Sequence, residues 1–265
     1  MGSIHTEEYI IETSYGKINA KKWTPDTIIS EIPVVLLHDS LGCIDLWRGF
    51  PEILADNISR TVIAYDRLGF GKSDERSDTP SLNFIEEEAI RYFPEVKSCL
   101  SLSEYLLMGH SVGGPISINI AVRDNDCKAV ITIASQSFVE ETTLMGVEKT
   151  KREFESPGQI ERLMKWHGNK AQWVLDAWTD KWASQEFSSW NLDSCIGKVV
   201  CPVFSIHGAN DEYGSTALAE YFYEKSGGVT DILILQDCGH MPHMEKTEKV
   251  VNSVKEFISV NCRNT

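Results

Sequence analysis

The chain is 265 residues long, carries a formal charge of −14 and is 42% hydrophobic. That length holds one large α/β domain or two small ones, and that apolar content excludes a disordered chain. The acidic balance argues against nucleic acid or an anionic membrane as partner, since both select clustered Lys and Arg.

No apolar run approaches the roughly 20 residues of a membrane span. The start, Met1-Gly2-Ser3-Ile4-His5-Thr6-Glu7-Glu8, lacks the basic and apolar regions of a signal peptide. A soluble, cytoplasmic protein is expected, a monomer or homodimer. Cysteines stand singly at 43, 99, 127, 195, 201, 238 and 262. Without a C-x-x-C pair they read as mostly buried thiols in a reduced compartment, and no zinc site is expected.

In chain order, strands are expected over 8–12 and 17–23, around a Tyr15-Gly16 turn. The run 33–37 reads as a strand buried on both faces. A helix over 46–58 leads to a buried strand over 61–65. A helix over 81–99 is expected to kink or split at Pro94. A strand over 103–108 is followed by a helix over 115–122, and a further strand covers 129–134. Strands over 199–206 and 231–235 alternate with helices over 215–225 and 245–260. Apolar strands alternating with helices predict an α/β fold with a mainly parallel central sheet flanked by helices, after an antiparallel start.

The stretch 138–193 breaks this rhythm. It offers no buried strand and carries Trp166, Trp173, Trp178, Trp182 and Trp190, five of the seven tryptophans. It reads as a helical cap (lid) inserted into a core made of 1–137 and 194–265. Individually these indoles read as glue between helices. As a set, one or two are expected to line a pocket.

The chemistry centres on Gly109-His110-Ser111-Val112-Gly113-Gly114, between the strand over 103–108 and the following helix. A serine between glycines at a strand-to-helix corner has the sequence form of a nucleophile elbow, which pushes the hydroxyl clear of the sheet. Ser111 needs a base and a carboxylate to orient that base. His240 follows the last strand, with His243 as its nearby alternative. Asp211 follows the strand before it, with Glu212 and Asp237 as alternatives. The order Ser, Asp, His is the one G-x-S-x-G hydrolases use. His38, His110 and His207 read as hydrogen-bonded structural residues. No phosphate-loop or dinucleotide glycine pattern is present, so neither nucleotide nor metal is inferred and no cofactor is expected.

With these residues the chain resembles the α/β-hydrolase fold superfamily, in its capped bacterial branch of serine hydrolases. Beyond the elbow, His38-Asp39-Ser40-Leu41-Gly42 resembles the H-G-x-x-G oxyanion loop. Asp66-Arg67-Leu68-Gly69-Phe70-Gly71-Lys72-Ser73 resembles the D-x-R-G-x-G-x-S turn, with the arginine offset. His207-Gly208-Ala209-Asn210-Asp211 resembles the G-x-x-D acid loop, and Gly239-His240 the histidine loop. The resemblance implies a catalytic set of Ser111, Asp211 and His240, and oxyanion donors at the N–H groups of Ser40 and Val112. Leu41, Trp166, Trp178, Trp182 and Met241 are the expected substrate contacts. Asp39 departs from the usual glycine. It is expected to turn away and bond backbone N–H groups of its own turn.

The function so implied is hydrolysis of a small, partly apolar ester, thioester or lactone through an acyl-enzyme on Ser111. Carbon–carbon bond hydrolysis of a vinylogous diketone and a non-enzymatic small-ligand receptor on the same fold stay open as alternatives.

Overall fold

The computed structural model describes residues 2–262. Its strands are β1 (Ile4–Thr13), β2 (Gly16–Pro25), β3 (Val34–Leu37), β4 (Val62–Tyr65), β5 (Tyr105–His110), β6 (Cys127–Ile133), β7 (Val203–Gly208) and β8 (Thr230–Leu235). They form one sheet in the order β1-β2-β4-β3-β5-β6-β7-β8. The β1/β2 hairpin and the β2/β4 pair are antiparallel, and β3 through β8 run parallel.

Side chains alternate across a strand, so each central strand feeds two cores. Val35, Leu37, Ile63, Tyr65 and Leu107 pack on one face with Ile85, Phe93 and Ile116. Val34, Leu36, Val62, Ala64, Leu106 and Met108 pack on the other with Leu54, Val250 and Phe257. Helices Phe84–Glu87, Phe93–Cys99 and Gly113–Ala121 thereby cover the first face, and helices Phe50–Ile58 and Thr247–Asn261 the second.

Two elements differ from expectation. The helix expected over 81–99 passes through a π-helical segment, Glu88–Tyr92, before Phe93–Cys99 resumes with Pro94 in its first turn. The proline thus sits where no intrahelical N–H is needed, behind a widened turn. The strand expected from 199 begins only at Val203, after the 3-10 turn Ile196–Lys198. Pro202 has no N–H for a ladder, and Val200 is 76% exposed.

From β3 the chain moves to β4 on one side and then crosses to β5 on the other. That reversal opens a crevice at the carboxyl ends of β3 and β5, where open α/β sheets bind ligands. Leu37 pairs with Gly109 across it.

Between β6 and β7 lie the helices Glu141–Phe154, Gln159–His167 and Ala171–Trp182. A Phe138–Asn191 bridge joins the two ends of this insertion. It rests on the loops after β3 and β4: His167 Nε2–H donates to Leu41 O at 2.9 Å, and Gly71 N–H donates to His167 Nδ1 at 2.9 Å. Gly69, at φ 92°, lies under the Trp173 ring, where a Cβ would approach to 2.5 Å. The insertion therefore packs on the loops that follow β3 and β4.

Among the described residues no helix is long and apolar enough to cross a membrane, and no cluster of His, Cys, Asp and Glu has metal-binding geometry.

Candidate active site

Ser111 joins β5 to the helix Gly113–Ala121 with φ 54°, a left-handed conformation that is strained for a non-glycine residue. Its N–H donates to Ile133 O at 2.9 Å, and its carbonyl accepts from Gly114 N–H at 3.0 Å. The corner is tight. A Cβ on Gly113 would stand 2.1 Å from Leu37 O, so only glycine lets the helix start lie against β3.

His240 lies on the loop after β8 and Asp211 on the loop after β7. The His240 Nδ1–H lies 2.9 and 2.8 Å from the two Asp211 carboxylate oxygens. Backbone bonds tie the two loops together: Ala209 N–H to Leu235 O and Asn210 N–H to Cys238 O, both 2.9 Å. Burial alone draws the His240 pKa down. The hydrogen bond and charge of Asp211, with Asp39 and Glu212 behind it, outweigh this, and the net shift is upward. Burial pushes the Asp211 carboxyl up, but His240, His207 and the Tyr213 N–H bring it below the ordinary carboxylate value.

Other groups fix the imidazole. His110 Nε2–H donates to the His240 carbonyl at 2.8 Å. Glu245 accepts Gly239 N–H at 2.8 Å and Met241 N–H at 3.0 Å, bracketing His240. The Tyr213 ring lies 4.7 Å from the His240 ring, and its N–H donates to Asp211 Oδ1 at 2.8 Å. His243 is buried against Trp47 and Phe50, with ring centroids 4.9 and 5.4 Å away. It lines a neighbouring pocket rather than the cavity at Ser111. Of the alternative acids, Glu212 lines that cavity without a hydrogen bond to His240 among the described residues, and Asp237 is exposed.

Ser111, His240, Ser40, Leu41, Trp178 and Met241 line one cavity of about 240 Å³. Ser40 also lines a smaller pocket with Val112, Trp178 and Trp182. Among the described residues, neither the Ser40 nor the Val112 N–H donates to a protein acceptor. Trp166 faces a third pocket, of about 280 Å³, which shares Asp39, Leu41 and Met241 with the cavity at Ser111. Trp190 instead stacks on Phe187, 5.5 Å between centroids.

Asp39 does not do what its turn suggests. Its carboxylate bonds no backbone N–H among the described residues. Oδ1 stands 4.0 Å from Nδ1 of His110, and the residue lines the cavity at Ser111. The turn is held instead through the Asp39 carbonyl, which accepts from Gly42 N–H at 3.3 Å, His38 Nδ1–H at 2.8 Å and Arg67 Nη2–H at 2.9 Å.

The sequence reading misses Gln136, which accepts the Ser111 hydroxyl hydrogen at Oε1, 3.1 Å away. The signal was a polar triplet, Ser135-Gln136-Ser137, one residue beyond a buried strand and itself buried. Polar side chains at the carboxyl end of a parallel strand need partners, and the crevice supplies them.

The model for the alpha/beta hydrolase fold matches residues 32–247. Proline iminopeptidase of Heyndrickxia coagulans is 22% identical over 97% of this chain and 99% of its own length. A crystal structure of a bacterial membrane phospholipase A superposes with a TM-score of 0.77 at 17% identity, covering 98% of this chain and 87% of that one. A serine hydrolase involved in carbazole degradation gives 0.73 at 18%, covering 97% and 100%. At these identities the superpositions speak for the fold.

Proposed function

Because this chain belongs to the alpha/beta hydrolase fold family, we propose that it is a serine hydrolase that cleaves a small ester, thioester or lactone through an acyl-enzyme on Ser111. The observation that carries this reading is the convergence of a serine at a strained elbow with an Asp211-paired imidazole on one cavity.

In the reaction, the Ser111 hydroxyl turns from Gln136 to the Nε2 of neutral His240 and gives up its proton as Oγ bonds the acyl carbon. Asp211 holds the Nδ1–H and stabilises the imidazolium. The N–H groups of Ser40 and Val112 receive the oxyanion, each typically worth about 3–4 kcal/mol at the transition state. The bond from the acyl carbon to the leaving oxygen, or sulfur in a thioester, then breaks, and His240 protonates the departing atom. Water repeats the sequence on the acyl-enzyme, returning the proton to Ser111 and releasing the acid. The cap formed by 138–193 supplies Trp178 to the cavity wall and limits water there.

A fluorophosphonate probe tests this directly. Rapid adduct formation on Ser111, abolished by Ser111→Ala, together with turnover of p-nitrophenyl butyrate, is the expected result. Slow labelling without turnover favours a ligand receptor on the same fold. A preference for proline p-nitroanilide over esters would move the substrate class to amides, in line with the proline iminopeptidase relative.

A further inference from the structure

The pocket behind Ser40 and Val112 has a floor unlike the rest of the site. It is lined by aromatic rings of Phe70, Trp178 and Trp182, yet Arg67, Arg76 and Glu88 also face it. Its free volume is about 30 Å³, room for a single carboxylate-sized group.

Arg67 is the unusual member. It is 5% exposed, and its Nε is buried without a hydrogen-bond partner. Nη2 donates to a neutral acceptor, Asp39 O, at 2.9 Å, and the guanidinium lies 4.3 Å from the Phe70 ring centroid. Among the described residues no carboxylate oxygen comes within ion-pair distance of it, though Glu88 and Asp39 act on it from further away. Arg76, in contrast, is bound at both Nε and Nη2 by Asp78. Glu88 Oε1 accepts from the Tyr65 hydroxyl at 2.8 Å. Glu88 lines the same pocket, and its charge, with that of Asp39, acts on Arg67 from beyond ion-pair distance, so the guanidinium is partly balanced while its Nε–H has no acceptor. A buried guanidinium N–H without an acceptor is costly, and a ligand carboxylate oxygen removes that cost.

Resting on the serine-hydrolase reading, we propose that this pocket is an acyl-side subsite in which Arg67 binds the free carboxylate of a short dicarboxylic half-ester. The ester carbonyl sits between the Ser40 and Val112 N–H groups, and the chain beyond its acyl carbon runs toward Arg67. The wider pocket beside Trp166 is left for the alcohol part.

The experiment compares monomethyl glutarate with methyl valerate, esters of matched acyl length that differ in the terminal carboxylate. The wild-type protein should favour monomethyl glutarate in kcat/KM by about tenfold or more, the usual worth of a charge-assisted hydrogen bond. Arg67→Met should bring the ratio to unity, and Arg67→Lys should keep part of it. A wild-type ratio near one, or an equal loss on both esters in Arg67→Met, overturns the subsite.

Binding to the Ser111→Ala protein, read by tryptophan fluorescence, needs neither turnover nor a folded Arg67 variant. Monomethyl glutarate should bind about tenfold more tightly than methyl valerate, and equal binding overturns the proposal. Because this readout is independent of chemistry, it separates failure of the subsite from failure of the serine-hydrolase reading. The latter shows as absent probe labelling.

Discussion

Ser111 gives its hydroxyl hydrogen to Gln136 Oε1 at 3.1 Å, while the imidazole of His240 lines the same cavity. The proposed nucleophile is therefore held in a resting contact that the reaction must break. A neutral hydrogen bond of this kind contributes about 1 kcal/mol net. Gln136→Leu keeps the volume and deletes the acceptor. It should raise the rate of fluorophosphonate labelling at Ser111 by about fivefold. A tenfold fall instead would mean that Gln136 assists the attack.

Removal of any member of the proposed set should be far more severe. Ser111→Ala and His240→Ala should each lower kcat for p-nitrophenyl butyrate by about 10⁵–10⁶, and Asp211→Asn by about 10⁴. Near-ultraviolet circular dichroism should show all three folded. Activity within tenfold of wild type in His240→Ala would remove the imidazole from the mechanism.

The pH profile follows from the sign of the His240 shift. The base must be neutral, and its pKa lies above the ordinary 6.5 in the folded protein. The acid limb of kcat/KM should therefore fall through a pKa above that value. Asp211 is the largest influence opposing burial. Asp211→Asn should thus move the residual activity's acid limb to lower pH, measured across pH 5–9. A limb that stays in place would contradict the Asp211–His240 coupling.

How much of this was legible depends on what local sequence encodes. The tight corner at Ser111 was legible because its backbone demands glycine at fixed offsets: Gly113 lies under Leu37 O and nothing larger fits. The meeting of Asp211 and His240 was legible because each follows an apolar strand, and parallel strands deliver their loops to one edge. Gln136 was not, since periodicity says where a strand stops but not which side chain beyond it turns inward. The tryptophans show the same limit. Trp178 and Trp182 lie four apart on one helix, yet Trp178 lines the cavity at Ser111 while Trp182 packs on Phe187 and lines only the smaller pocket beside Ser40 and Val112. The rotation of a helix against its neighbours is set by tertiary packing. Arg67, one position from where the family turn places arginine, likewise found its environment only in three dimensions.

The seat of the insertion can be tested at Gly69. Its φ of 92° disfavours any side chain, and a Cβ there would stand 2.5 Å from the Trp173 ring. Gly69→Ala combines backbone strain with displacement of that ring. It should cost about 2–4 kcal/mol. The expected fall in Tm is roughly 5–10 °C. An unchanged Tm would show that the loop and Trp173 separate freely.

Acid sensitivity has a distinct origin. His38, His110, His167, His207 and His243 are each at most 2% exposed. Burial holds all five below the ordinary histidine pKa, His110 at about 4. Between their folded pKa values and about 6.5, the unfolded chain binds more protons, so stability is lost as pH falls through that window. His240, raised, has the opposite sign: its contribution is present below about 6.5 and fades as pH rises through its folded pKa. Asp66 and Glu88, raised by burial, share the sign of His240; with five depressed histidines on the other side, Tm should drop from pH 7.5 to pH 5. His243 isolates the effect. Its Nδ1 is buried without a partner, its ring packs on Trp47 and Phe50, and a pocket beside it has room for a slightly larger ring. His243→Phe removes an unsatisfied polar atom and a titrating site together. Scanning calorimetry should find Tm raised by about 2–4 °C at pH 7.5, with a larger gain at pH 5. An equal gain at both pH values would show that His243 binds protons alike in the folded and unfolded chain, contrary to its depressed folded pKa.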